Sequence, residues 1–379
     1  MDVNFFNGLN SVTDPIRAGL KWLTVANNVH VTDAGALEVR PGYSRAATGA
    51  FTGVYATKDY QRMYLVDGGV LRTYDGTILK TGLAPAEMFW TEINEDVFFN
   101  NGVDSGVILA DGSVLPWRWP TANAPTVKAV TGNLPAGVYL VRVTNVLPDG
   151  RETGASDAAE VYLWAGQALQ ISGLTALSNV YIAPANSTVF QLAYTGTSSF
   201  VWNVSMDTLG RELLNNYLDP LPLGATVVQA WRGVIYAAQY MPSANQTVIW
   251  FSEPMGYHLF NLNSNFFIVP GQATMLAPTK ESLIVGTGSR IYATDGKEIE
   301  VLAEYGVVPG QHWAEDGEDR ILFWSTRGVC AARPFKNLTE RQVSVAPGVQ
   351  AGGTIVRNGG QKRYVVALHQ GGAAFNPYF

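Results

Sequence analysis

The chain has 379 residues, 47% hydrophobic and only 15% charged, with a formal net charge of -6. A slight acidic excess without a charged tail excludes a general nucleic-acid-binding surface, and so low a charge content points to a surface covered by partners. One cysteine, Cys330, excludes an intrachain disulfide, and no apolar stretch approaches the ~18 residues of a membrane span.

Residues 1–35 read as an N-terminal arm without a secretory signal, which places synthesis in a cytosol. Within it Asp14 caps, and Pro15 opens, one helical turn. ALEVRPGY (residues 36–43) reads as an edge strand stopped by Pro41 and Gly42.

Residues 36–122 bring short β-rich runs, each carrying an aromatic and ending in Gly or Asp-Gly, as in 63–79 and 96–115. Asp-Gly and Gly-Gly supply the positive φ angles of tight hairpins. WRWPTANAPT (117–126) interrupts them and reads as a linker.

Residues 123–220 differ in character. Tyr139, Val141 and Val143 alternate with Leu140, Arg142 and Thr144, the period-two signature of a half-buried strand. About seven strands in roughly 95 residues is the density of an immunoglobulin or fibronectin type III sandwich, and the lack of a cysteine pair favours the fibronectin variety. RELLNNYLD (211–219) reads as a short connector.

The hairpin pattern resumes over residues 221–368, in runs such as 233–242, 282–302 and 320–335. At about 40–45 residues per blade, the two flanking parts predict an all-β chain: a β-propeller of five or six blades with the sandwich inserted. Two stacked β-sandwiches are the competing architecture. Residues 369–379 form a tail whose Phe375, Tyr378 and Phe379 are expected to dock on a neighbour as assembly contacts.

Chemistry-bearing patterns are sparse. His30, His258, His312 and His369 stand apart, and no metal-ligand spacing appears. Asp316, Glu318 and Asp319 miss the register of a calcium loop and read as a solvated turn. GTGSR (286–290) lies between strands and lacks the spacing of a phosphate cradle. Glu92, Glu95, Asp96 and Glu253 are carboxylates from which a glycosidase pair would be drawn, but a sequence gives no distance between them. The expectation is a non-enzymatic chain with no catalytic residue, cofactor or metal. Trp90, Trp231, Trp250, Trp313 and Trp324 are expected in the core between blades, and Cys330 as a small buried hydrophobe. The sequons at Asn186, Asn203, Asn245 and Asn337 are read as Asn-rich turns.

Several segments, taken in order, resemble a family. Asn7, Gly8, Asp14, Pro15, Leu23, Asn28, Val29, Val31, Thr32, Asp33, Gly35, Leu37, Arg40, Pro41, Gly42 and Tyr43 match the opening of bacteriophage virion proteins in which such an arm precedes a propeller. AGVYLVRVTNVLPDGRETGAS and NVYIAPANSTVFQLAYTG resemble the fibronectin-like module of that group, and residues 231–261 resemble a stretch that follows it. Where the group has Tyr-Arg-Thr, this chain has Tyr181, Ile182 and Ala183, so the arginine is missing. The group is the tail or neck components akin to the nozzle (tail tubular protein B) of short-tailed phages, which are usually much longer.

The resemblance implies a non-enzymatic structural component of a virion tail: nozzle, tail tip, baseplate or head–tail junction. It implies other tail proteins and further copies of the chain as partners, with no sequence-specific nucleic-acid contact and no membrane span. An acidic lumen would let DNA slide through such a part. The alternative is a module that binds a host-surface glycan or protein.

Overall fold

The computed structural model describes residues 5–370 except 33, 41, 43, 45, 46, 318, 359 and 360. Phe375, Tyr378 and Phe379 lie outside the described residues.

Hairpin chemistry builds the first sheet. Gly68 and Gly69 adopt φ of 57° and 78°. They close Met63–Asp67 onto Val70–Thr73 with Asp67 opposite Val70. Phe51–Ala56 and Ile78–Lys80 complete four antiparallel strands. The second sheet, from Phe89–Ile93 to Val114–Leu115, repeats this order. Its first turn uses Asn94 and Glu95 at φ of 51° and 68°, conformations that asparagine tolerates better than most residues.

Three further sheets follow the insert: a five-stranded sheet from Ala225–Trp231 to Phe266–Pro270, whose last two strands both pair with Gln246–Glu253, then four-stranded meanders from Ala273–Pro278 to Ile299–Ala303 and from Ala314–Glu315 to Lys336–Asn337. A sixth sheet has two strands, Gln350–Asn358 and Gln361–His369.

The arrangement is propeller-like. The first strand, or the segment leading into it, from each of the six sheets lines one common channel. Successive sheets share apolar cores: Val66 and Trp90 between first and second, Phe98 and Phe260 between second and third, Tyr236 and Leu276 between third and fourth. Met275 and Phe323 join fourth to fifth, and Trp324 and Leu368 join fifth to sixth.

Between the second and third sheets seven strands form two further sheets. Thr126–Leu134, Gln167–Ser172 and Phe200–Trp202 make one; Ala159–Leu163, Gly137–Asn145, Ser178–Ala183 and Gln191–Gly196 make the other. Tyr139, Val141, Leu169, Ile182 and Trp202 share the core between them. The Tyr139 hydroxyl donates to the Pro135 carbonyl at 2.9 Å, the bonding of a tyrosine corner. The first and second strands lie in different sheets here, whereas immunoglobulin sandwiches keep them in one.

Two expectations are corrected. Residues 117–126 are no free linker: Trp117 is 1% exposed, stacks edge-on against Phe98 and donates Nε1 to the Tyr257 carbonyl at 2.7 Å. Residues 211–219 do more than connect, because Leu213 packs with Tyr181 and Phe190 over the outer face of the second insert sheet. Arg142 lies there between the rings of Phe190 and Tyr217, at 5.2 and 4.9 Å, so this strand is covered on both faces.

Candidate functional site

Two places gather polar groups inside this frame: the channel and the junction between insert and ring. The channel has a volume of about 1650 Å³, above the roughly 300–1,000 Å³ of a small-molecule pocket. Its described lining carries one carboxylate, Glu87, and one imidazole, His369, with no lysine or arginine. The remaining lining mixes small residues, amides, aliphatic side chains such as Val228 and Leu276, and aromatic ones such as Phe51, Tyr55, Phe89 and Trp313. Burial pushes the Glu87 carboxyl up, opposed by a hydrogen bond from Gln350. Among the described lining residues the channel is near-neutral.

Trp90 sits on the wall with Tyr55 and Tyr64 stacked on it at 5.7 and 6.3 Å. Burial, with the Glu92 charge second, raises the Tyr55 hydroxyl far above its ordinary range. Tyr55 therefore stays neutral and donates to Glu92 at 3.3 Å. Glu92 also accepts the Lys58 amide at 2.9 Å. Asp96 accepts the Ala110 amide at 3.1 Å and Glu253 the Asn265 side chain at 2.8 Å. Each of these three carboxylates is engaged in holding a turn.

The junction is denser. Glu152, 11% exposed at its side chain, accepts from Thr144 at 2.5 Å, from Tyr181 at 2.9 Å and from Arg211. Burial, then the Glu152 charge, pushes the Tyr181 hydroxyl up to about 12. The Glu152 carbonyl accepts from Nε2 of His258, at 2.8 Å, on the third sheet. Nδ1 of His258 thus carries the lone pair, and the Arg151 guanidinium donates to it at 3.4 Å. Burial holds His258 below its ordinary value. Gly154 is required at this contact, since a Cβ there would lie 1.8 Å from the Leu218 carbonyl oxygen. Of these bonds, those of His258 to the Glu152 carbonyl and Arg151 tie the insert to the third sheet, and those of the Glu152 carboxylate hold the insert together.

The other singled-out residues are structural. Trp231 and Trp324 are buried, whereas Trp250 and Trp313 are partly buried. Cys330 is fully buried, and burial pushes its thiol up. His312 is also fully buried: Nδ1 accepts the Trp324 amide at 3.0 Å, and burial lowers its pKa to about 4. Asn186 and Asn245 sit in turns at φ of 61° and 47°, the Asn203 side chain accepts the strand amide of Asn133, and that of Asn337 accepts the Thr339 amide. The sequence offered no signal for Glu152, whose role depends on partners from four separate segments.

Neither a protein-family model nor a curated protein matches the sequence. Among solved structures the chain is similar to apo AztD from Citrobacter koseri, at 12% identity over 78% of this chain and 86% of that one, with a TM-score of 0.30. It is similar to a protein from Lactobacillus plantarum at 14% identity, over 85% and 93% of the two chains, with a TM-score of 0.33. Likeness at these values carries no argument about ligand or activity.

Proposed function

We propose that the chain is a non-enzymatic structural component of a bacteriophage tail or neck. In this reading it is a six-bladed propeller with its last blade reduced to a hairpin. The insert is a fibronectin-like sandwich whose first strand has changed sheets. The observation that carries the reading is the order of motifs, from the arm at Asn7 through the insert to residues 231–261. The physical arrangement supports it. Sheets packed on neighbours through aromatic cores make a stiff body. A chain with 15% charged residues suits broad interfaces, whose cores are depleted of charge. Virion location is tested by labelling purified particles with an antibody to this chain. Signal at neck or tail is expected; absence from particles overturns the reading.

One observation favours a second reading, a glycan-binding role of the insert. Tyr162 and Trp164 are 48% and 67% exposed and meet edge-on at 4.8 Å on an edge strand and the turn after it. Such aromatic faces serve as sugar platforms. Binding on an array of host-surface glycans, lost in Trp164→Ala, supports this role; no binding by the intact chain removes it.

A further inference from the structure

Among the described residues the ring is short of two strands. Five of its sheets have four or five strands, while the sixth has two. Among the described residues no strand pairs with the outer side of 362–369, so a row of backbone donors and acceptors stands open there. Val366 and Leu368 pack inward beside Trp324, whereas Val365 on the alternate face is 41% exposed.

The arm has the opposite defect. Residues 5–40 contribute no side chain to any core cluster of buried residues. Ile16, Leu20, Val25 and Val39 are 92%, 68%, 67% and 69% exposed. The arm nonetheless holds a preformed two-stranded hairpin, Val29–Val31 on Leu37–Val39. It is anchored beside the segment that leads into the sixth sheet: Ser11 donates its amide to the Gln342 carbonyl at 2.8 Å, and its hydroxyl accepts the Ser344 amide at 3.0 Å. Within one copy the hairpin pairs only with itself among the described strands, and no described strand covers the open edge.

We propose that the arm hairpin of a second copy adds to this open edge, bringing the sixth sheet to four strands. The inference rests on the reading that copies of the chain associate, and it names the device. Two missing strands and one spare two-stranded hairpin match in number. β-Strand addition supplies the backbone bonds, and the arm's exposed apolar side chains become buried. The contact is heterologous, arm to edge, so repetition closes a ring when the rotation allows it.

The test uses the full chain in two single variants, Val31→Cys in the hairpin and Val365→Cys on the edge. Cys330 is buried and does not compete. Mixing the two variants under oxidising conditions is expected to give a disulfide-linked dimer. Val365→Lys is expected to weaken self-association by about tenfold, a charge on a strand edge opposing pairing. The proposal is overturned if the mixture yields no dimer. It is equally overturned if a chain carrying both cysteines closes only on itself, which would make the hairpin a cover for its own edge. Cross-linking uses purified protein, so its failure is distinct from absence of the chain from particles.

Discussion

The boundary between the second and third sheets and the seam between the sixth and first sheets are built from different materials. At the first, Phe98 meets Trp117 edge-on at 5.1 Å, Tyr257 at 5.9 Å, and shares a core with Phe260, all buried. Asn100 adds bonds across it to the carbonyls of Ala225 and Thr226, at 2.6 and 2.8 Å. At the seam no core cluster spans the two sheets among the described residues. The amides nearest to it reach past the first sheet: Gln350 of the sixth contacts Glu87 at 3.5 Å, and Gln311, leading into the fifth, donates to the Met88 carbonyl, both acceptors lying in the segment that leads into the second sheet. A toroid of sheets therefore need not close with equal strength all round. The apolar boundaries hold the body together, and the sixth and first sheets share none among the described residues.

The largest effect is expected from Phe98→Ala. Removing a fully buried ring from a closed boundary costs about 3–5 kcal/mol, read as a lower denaturation midpoint. An effect below about 1 kcal/mol would place the strength of the ring elsewhere. Gly310→Ala comes next. Gly310 has φ of 122°, and a Cβ there would lie 2.0 Å from the Ala351 carbonyl oxygen, so the fifth–sixth boundary must shift. A loss of about 1–3 kcal/mol is expected, with faster proteolysis after residue 340 than elsewhere.

The pH dependence sharpens the same boundary, because His312 bonds the fifth sheet through Trp324 and its carbonyl accepts from Tyr364 of the sixth. Its folded pKa of about 4 lies below the ordinary 6.5. The unfolded chain therefore takes up the proton first, and stability present above pH 6.5 is lost as pH falls towards 4. Melting followed across that window is expected to slope downward with acid, and His312→Gln to flatten the slope. An unchanged slope in the variant would assign the effect to other groups, His258 first. The smallest effect is expected where the sixth sheet contacts the segment leading into the second: Gln350→Ala costs less than about 1 kcal/mol, the net worth of one exposed amide bond. A cost matching that of Phe98→Ala would erase the contrast.

Local structure was legible wherever one residue type suffices. Asp14 accepts the Ile16 amide at 2.9 Å and caps the turn opened by Pro15. Gly68–Gly69 fixes a hairpin register, and Tyr139, Val141 and Val143 share a buried face. Trp117 was misread because prolines and small polar residues around it look like a linker, although its ring fills a gap made by residues 140 positions away. The burial of Arg142 and Glu152 was hidden for the same reason, since their partners come from Phe190, Tyr217, Tyr181 and Arg211.

The amino-acid order alone settled an all-β chain of short hairpins, because φ preferences of glycine and the two-residue period of strands act over a few residues. Tertiary structure decided which strand of each sheet faces the channel, that its described lining is near-neutral, and that the sixth sheet has two strands among the described residues. Those depend on which distant surfaces meet, and burial, unlike turn geometry, is a property of the assembled neighbourhood.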